Sequence, residues 1–324
     1  MKLLVSLAIS ALFLYLTLRG LDLGAIGHSL SLVNLWLLVP AILVHLSSFW
    51  IRSLRWSAML SPLKPLRPAA VFPALAISYL ANNTLPMRAG EFVRAYLLGK
   101  NENISKTASF STILLERIFD GLTLLLFLGV VSLLVPLPAW VQQVGIFAGS
   151  AFVGVTLLMI GLVFFRETTL SLVRWCLRPL PQKIADKVEG LLGSFVSGLD
   201  VLQDARALLQ VAAWSLVIWG LEAAALAITA HACGLTLPML GATFALVIIN
   251  LGTMIPSSPG YVGTFEFFCV KSLSLFQILE APAMGFALVL HVIQFVPITL
   301  VGLACLVRQP VSLRGLTTQK GSIG

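Results

Sequence analysis

The stretches Asn82-Asn83-Thr84-Leu85-Pro86-Met87-Arg88-Ala89-Gly90 and Gly252-Thr253-Met254-Ile255-Pro256-Ser257-Ser258-Pro259-Gly260 share a Pro-x-x-x-Gly pattern, with its proline at 86 in one copy and at 256 in the other. Each interrupts a hydrophobic run near the middle of its half of the chain. Broken hydrophobic segments at matching places in two halves are the strongest sequence pointer to the binding site of a membrane transporter. The breaks themselves, Pro86, Gly90, Pro256, Pro259 and Gly260, are therefore candidate site residues.

Composition fixes the class around these breaks. Hydrophobic residues make up 58% of the chain and charged residues 10%, with a mean hydropathy of +0.99. A soluble domain carries about a quarter charged residues, so this chain cannot cover a water-facing surface. It reads as an all-α polytopic membrane protein with one domain over 1–324. The net charge of +8 belongs to topology rather than to nucleic acid. Cys176, Cys233, Cys269 and Cys305 form no Cys-x-x-Cys or Cys/His cluster, which leaves buried or inert thiols. No Walker A, His-Glu-x-x-His or Gly-x-Ser-x-Gly pattern is present, so neither a catalytic residue nor a metal or other cofactor is expected.

Six apolar runs, 3–18, 35–60, 107–135, 142–165, 207–231 and 281–306, are read as full spans. A helical span needs about 20 residues, and the first run is preferred as a retained span over a signal peptide because no small-x-small cleavage site follows it. The shorter runs 69–85 and 238–255 end in the Pro/Gly breaks and are read as re-entrant. Segments 61–106 and 166–206 each carry six Lys or Arg, whereas 136–141 and 232–237 carry no charge. By the positive-inside rule both termini are cytoplasmic, and 166–206 is a cytoplasmic amphipathic connection. Shifting 35–135 by the offset that separates the two prolines gives 205–305, so span, broken segment and span recur in order. Three intervening crossings invert the second copy, 205–306. Backbone broken at membrane depth needs a wet or protein-lined cavity to satisfy it.

Four polar groups are candidates to line that cavity. Arg52 and Arg55 share a helix face beside Trp56. Their planar forks suit a phosphate, or they snorkel toward headgroups. At the first break, Asn83 precedes Arg88, Glu91 and Arg94, an i+3 series in which two arginines flank a carboxylate. Glu116, Arg117 and Asp120 lie near the cytoplasmic end of the third span, where carboxylates need partners. In the outer half, Glu222 is an isolated acid in an apolar helix, with Glu266 and His291 as further gate or proton-coupling residues.

Taken together, Arg52-Ser53-Leu54-Arg55-Trp56, Asn83-Thr84-Leu85-Pro86 through Gly90-Glu91, Arg94-Ala95-Tyr96, Glu116-Arg117 with Asp120, and Pro256-Ser257-Ser258-Pro259-Gly260 through Gly263-Thr264-Phe265-Glu266 resemble the lysylphosphatidylglycerol synthase transmembrane-region family, often called flippase-like. The resemblance covers nearly the whole chain. It implies a bacterial or archaeal inner-membrane protein, here a stand-alone member without the synthase domain. In two-domain members this region moves an aminoacylated phospholipid to the outer leaflet. Single-domain members occur beside envelope-lipid and hopanoid biosynthesis enzymes, which are the implied partners together with membrane lipids. The last span of such proteins commonly has an arginine. The nearest candidate here is His291, whose contact with a headgroup would depend on pH.

The expected function is that of a lipid translocator without ATP hydrolysis of its own, not an enzyme. Arg52, Arg55, Arg88 and Arg94 are expected to meet an anionic or phosphate-bearing headgroup, with Glu222 and Glu266 at the outer gate. The alternative is a scaffold subunit for a lipid-modifying or glycosyl-transferring enzyme. Lipid identity, direction, coupling ion and oligomeric state are left open.

Overall fold

Apolar runs bounded by polar caps fold into helices that follow the sequence map closely. The structure, a computed structural model, describes residues 2–85, 89–179, 181–255 and 257–308. Pro86, Arg88 and Pro256, expected at the breaks, lie outside the described residues. The helices are α1 (Lys2–Leu18), α2 (Leu23–Ser31), α3 (Leu35–Leu60), α4 (Pro68–Thr84), α5 (Gly90–Glu102), α6 (Lys106–Leu134) and α7 (Ala139–Phe164). They continue as α8 (Arg166–Leu177), α9 (Gln182–Ser197), α10 (Ala205–Ala232), α11 (Met239–Gly252), α12 (Thr264–Ser274) and α13 (Glu280–Arg308). Five of these, α3, α6, α7, α10 and α13, are long and apolar enough to cross a membrane. The expected first span, 3–18, is helix α1, which makes a sixth candidate when taken together with α2, bent from it by 85°.

Capping explains where the two halves begin. Asn34 accepts the Trp36 N–H at 3.1 Å ahead of α3, and Asp204 accepts the Arg206 N–H at 2.9 Å ahead of α10. The two caps are separated by the same offset as the prolines of the two breaks. Each side chain satisfies a backbone donor that the first helical turn would otherwise leave free. Pro68 opens α4 and Pro238 caps α11, where a missing N–H costs nothing.

Both broken segments fold back on themselves. At the tip of the first hairpin, the Gly90 N–H donates to Asn82 at 2.8 Å, and at its base Lys64 meets Glu102 at 2.9 Å. The backbones touch at the tip, since a Cβ on Gly90 would sit 1.9 Å from the Ser78 carbonyl oxygen. The second hairpin packs Gly252 on the Phe268 ring near its tip and Gly241 on Phe276 near its base. The tips meet, because a Cβ on Gly260 would come within 3.7 Å of the Asn83 carbonyl, and the turn Pro259–Tyr261 packs on α4. Gly260 has φ +72°, a left-handed conformation that favours glycine.

The helix contacts are reciprocal under exchange of α3–α6 with α10–α13. Helix α4 packs on α3 as α11 does on α10, α5 on α6 as α12 on α13, and α4 on α13 as α11 on α6. The pair α3 and α10 is its own counterpart. It runs antiparallel: Asn34 donates its N–H to the Ala232 carbonyl at one end, and Arg55 meets Ser215 nearer the other. The reciprocity reaches beyond 35–135 and 205–306, because α2 packs on α13 at Gly285 as α9 packs on α6 near Ser111 and Gly198.

Two apolar clusters occupy opposite ends of the bundle. One gathers Met59, Leu60, Leu97, Leu98 and Val201 on the end that carries the basic connections, and the other gathers Ile26, Val131, Leu137, Ala230 and Phe244. The polar residues lie between them.

Glycine substitutions test the hairpin. Gly90→Ala forces its Cβ into backbone and is expected to destabilise by about 1–3 kcal/mol, as overpacking does. Gly149→Ala on α7 faces open space and is expected to be neutral or to stabilise by up to about 1 kcal/mol. Thermal unfolding in detergent measures both. Equal effects at the two positions would contradict the hairpin contact.

Candidate functional site

Helix α3 carries His45, Ser48, Arg52 and Arg55 at i, i+3, i+7 and i+10, a single polar stripe on a hydrophobic helix. All four are buried. The facing stripe on α10 is Ser215, Trp219 and Glu222, and α6 contributes Glu116, Arg117 and Asp120. Asp120 is equally far from both ends of α6 (106 to 120, and 120 to 134), so it sits at mid-helix rather than near the cytoplasmic end as the sequence suggested. The charges balance: Arg52, Arg55, Arg94 and Arg117 stand against Glu91, Glu116, Asp120 and Glu222.

Part of this network is packed solid. Arg94 holds Glu116 with two nitrogens at 3.1 and 2.9 Å and stacks its guanidinium 3.6 Å over the Trp56 ring. Arg55 donates to Asp120 and to Ser215, each at 2.7 Å, and lies 3.4 Å from Glu116. Trp56 donates to Thr112 at 3.0 Å, and Trp219 donates to Asp120 at 3.0 Å. Arg55, Arg94 and Glu116 thus stand behind the wall of the central cavity, bound to one another.

The cavity has a volume of about 330 Å³. Its polar lining includes Arg52, Arg117, Asp120, Glu91, Glu222 and Asn83, beside the meeting hairpin tips. Arg52 is only 4% exposed, yet its Nε and Nη1 have no hydrogen-bond partner. Its nearest carboxylates are Glu222 at 3.6 Å and Asp120 at 3.8 Å, and its guanidinium lies 5.1 Å from the Trp219 ring. The Oδ2 of Asp120 is also without a hydrogen-bond partner. Arg117, a third exposed, donates to Glu116 and lies 3.4 Å from Asp120 and 3.8 Å from Glu91.

Glu222 is not the isolated acid its sequence context suggested. It accepts from Ser48 at 2.6 Å and meets His45 Nδ1 at 2.8 Å, while His45 Nε2 lies 3.1 Å from the Gln294 carbonyl. His45 and Ser48 were not singled out from the sequence, although their spacing to Arg52 and Arg55 carries the signal. Glu266 and His291 form a second pair, joined through His291 Nδ1, and Glu266 accepts the Gly263 N–H at 2.6 Å. This pair is outside the cavity lining, while its neighbours Phe265, Gln294 and Phe295 form part of it. Among the described residues no cluster suited to a metal ion occurs.

Residues 3–302 match the family described as lysylphosphatidylglycerol synthase TM region. The chain belongs to this family. Among curated relatives, the glycosyltransferase AglD of Haloferax volcanii is 28% identical over 299 residues, 82% of this chain and 47% of its own length. The chain thus spans about half of that relative. Two UPF0104 membrane proteins of Methanothermobacter thermautotrophicus are 26% and 25% identical, covering 82% and 73% of this chain and 82% and 74% of their own lengths. The site of this lysylphosphatidylglycerol synthase TM region protein therefore combines a packed ionic layer with a charged, partly unsatisfied cavity.

The two layers should respond differently to truncation. Arg94→Ala strips the bidentate partner from a buried Glu116, leaving it to Arg55 and Arg117, and is expected to cost about 1.5–3 kcal/mol of stability, the worth of a charged hydrogen bond. Glu91→Ala removes a longer, rim-exposed pair and is expected to cost under about 1 kcal/mol. Chemical or thermal unfolding in detergent reads both, and a cheap Arg94→Ala would contradict the packed layer.

Proposed function

We propose that the protein translocates an amphipathic envelope lipid, its headgroup passing through the central cavity while its tails stay in the bilayer, without ATP hydrolysis of its own. The observation that carries this reading is Arg52, buried in the cavity wall with two nitrogens that lack a hydrogen-bond partner. An unsatisfied buried guanidinium is costly unless water or a ligand completes it. Its planar donors match a phosphate oxygen pair. The headgroup contacts are Arg52 and Arg117, with Asn83, Asp120 and Glu91 around them, rather than Arg55 and Arg94. The reciprocal helix contacts and the antiparallel α3 and α10 support an inverted repeat, whose two halves rock around a central site. Both termini are cytoplasmic in this reading, as charge placement argues.

A second reading has one observation in its favour. A relative named as a glycosyltransferase matches this chain over only about half its own length. A membrane unit of this kind can also seat an enzyme that modifies lipids or transfers sugars, with no transport of its own.

Reconstitution in pure liposomes separates the two. Wild-type protein is expected to move a fluorescent phospholipid between leaflets. Arg52→Ala is expected to slow it by roughly ten- to a hundredfold, the loss of a charged hydrogen bond worth about 1.5–3 kcal/mol, while the fold survives. Arg52→Lys keeps charge but not the fork and is expected to fall between. A wild type that moves no lipid of any headgroup class would favour the scaffold.

A further inference from the structure

Helix α7 is the least embedded of the long helices. Only Val141, Met159 and Val163 on it are buried, and its apolar stretch is 11% buried against 33–44% for the other four. It packs on α6, with lesser contacts to α8, α9 and the short turn Asp200–Gln203. One of its side chains nevertheless reaches the central cavity. Phe152 lines that cavity together with Gly121 and Leu124 of α6.

The contact between them is close. A Cβ on Gly121 would lie 2.1 Å from Cε1 of Phe152, so the ring rests directly on the α6 backbone in a notch that any larger residue would fill. The preceding residue is Asp120, whose Oδ2 lacks a hydrogen-bond partner, and Arg117 lies one turn away. A peripheral helix thus sends a single aromatic ring into the wall of a charged cavity. Neighbouring positions on the same helix, such as Phe147 at 77% exposed, face outward. At this point a half-buried ring from a mostly exposed helix lies directly on the helix that carries Asp120 and Arg117.

We infer that the notch at Gly121 is a lateral portal from the bilayer to the cavity, that Phe152 is its gate, and that its ligand is the headgroup of a membrane phospholipid arriving from the leaflet. A lipid using this route keeps its tails along the exposed face of α7 and passes its headgroup over Gly121 toward Arg117 and Arg52. The inference rests on the reading of the cavity as a headgroup site. Its chemistry differs from that of the binding groups: Phe152 bonds to no headgroup, and it sets access rather than affinity.

Access can be measured without transport. Leu124, one helical turn beyond Gly121 and buried in the cavity wall, is replaced by cysteine after Cys176, Cys233, Cys269 and Cys305 are changed to serine or alanine. The protein is placed in phosphatidylcholine vesicles containing phosphatidylethanolamine with a maleimide on its headgroup, and the rate of lipid coupling to Leu124→Cys is followed. Phe152→Ala is expected to raise that rate severalfold and Phe152→Trp to lower it severalfold. Phe147→Ala on the outward face is expected to leave it unchanged. Leaflet exchange of a fluorescent phospholipid, measured in the same variants, is expected to follow the same order. Coupling that ignores residue 152, or that fails in every variant, overturns the portal. Coupling that follows residue 152 while wild-type protein exchanges no lipid keeps the portal and defeats the translocator reading. If Phe152→Ala proves unfolded by thermal scan, the slowing by Phe152→Trp still decides, and a Phe152→Trp that couples at the wild-type rate overturns the gate.

Discussion

An ion in hydrocarbon must find a counter-ion, and this constraint organises the whole bundle. A lone charge at membrane depth costs about 2.5–3.5 kcal/mol even on the gentlest scales. Here four arginines and four carboxylates are brought together from α3, α5, α6 and α10. Asp120 alone answers to Arg52, Arg55, Arg117 and the Trp219 N–H. None of these helices can slide against its neighbours by a turn without uncovering a charge. The network therefore sets register in a bilayer, where lipid tails are as apolar as leucine and burial cannot drive helix association.

The same constraint divides the network by what it can do. Arg94, with both terminal nitrogens on Glu116 and its flat face on Trp56, has little capacity left for a ligand. Arg52 makes only longer ionic contacts and leaves donors open at the cavity wall. Two residues of one type thus serve opposite ends: one is committed to cohesion and the other remains available. Mere presence of arginine in a span does not distinguish these roles; its place in the cavity wall or behind it does.

Much of this was legible in the sequence. The Pro/Gly breaks located both hairpins, and the offset between them also relates the cap Asn34 to Asp204 and the helix opening Pro68 to Pro238. Pattern carries such local features because caps and breaks are chemically particular residues. The partner of Glu222 was not legible: His45 is far from it in sequence and becomes its neighbour only through antiparallel packing of α3 on α10. Arg55 and Arg94 looked as suitable for a headgroup as Arg52, because a sequence shows donors but not which of them line the cavity. The notch at Gly121 was likewise silent, since a glycine in a span is ordinary until a ring is seen resting on it.

The two ends of the bundle treat charge differently although the helices of its halves make reciprocal contacts. On the side of the basic connections, arginine meets carboxylate, and arginine stays charged at any physiological pH. Farther along, the acids Glu222 and Glu266 are met by the histidines His45 and His291. A histidine meets a carboxylate through one ring nitrogen, whereas an arginine's planar fork can hold a carboxylate with two, as Arg94 holds Glu116. Parting a buried arginine–carboxylate pair leaves two ions uncompensated in low dielectric. Corresponding helix contacts therefore do not carry matching energetics: the end with Arg94 and Arg55 is tied by forked and multiple ion pairs, while Glu266 is met by one imidazole. Separating the helices is therefore more costly on the side of Arg94 and Arg55.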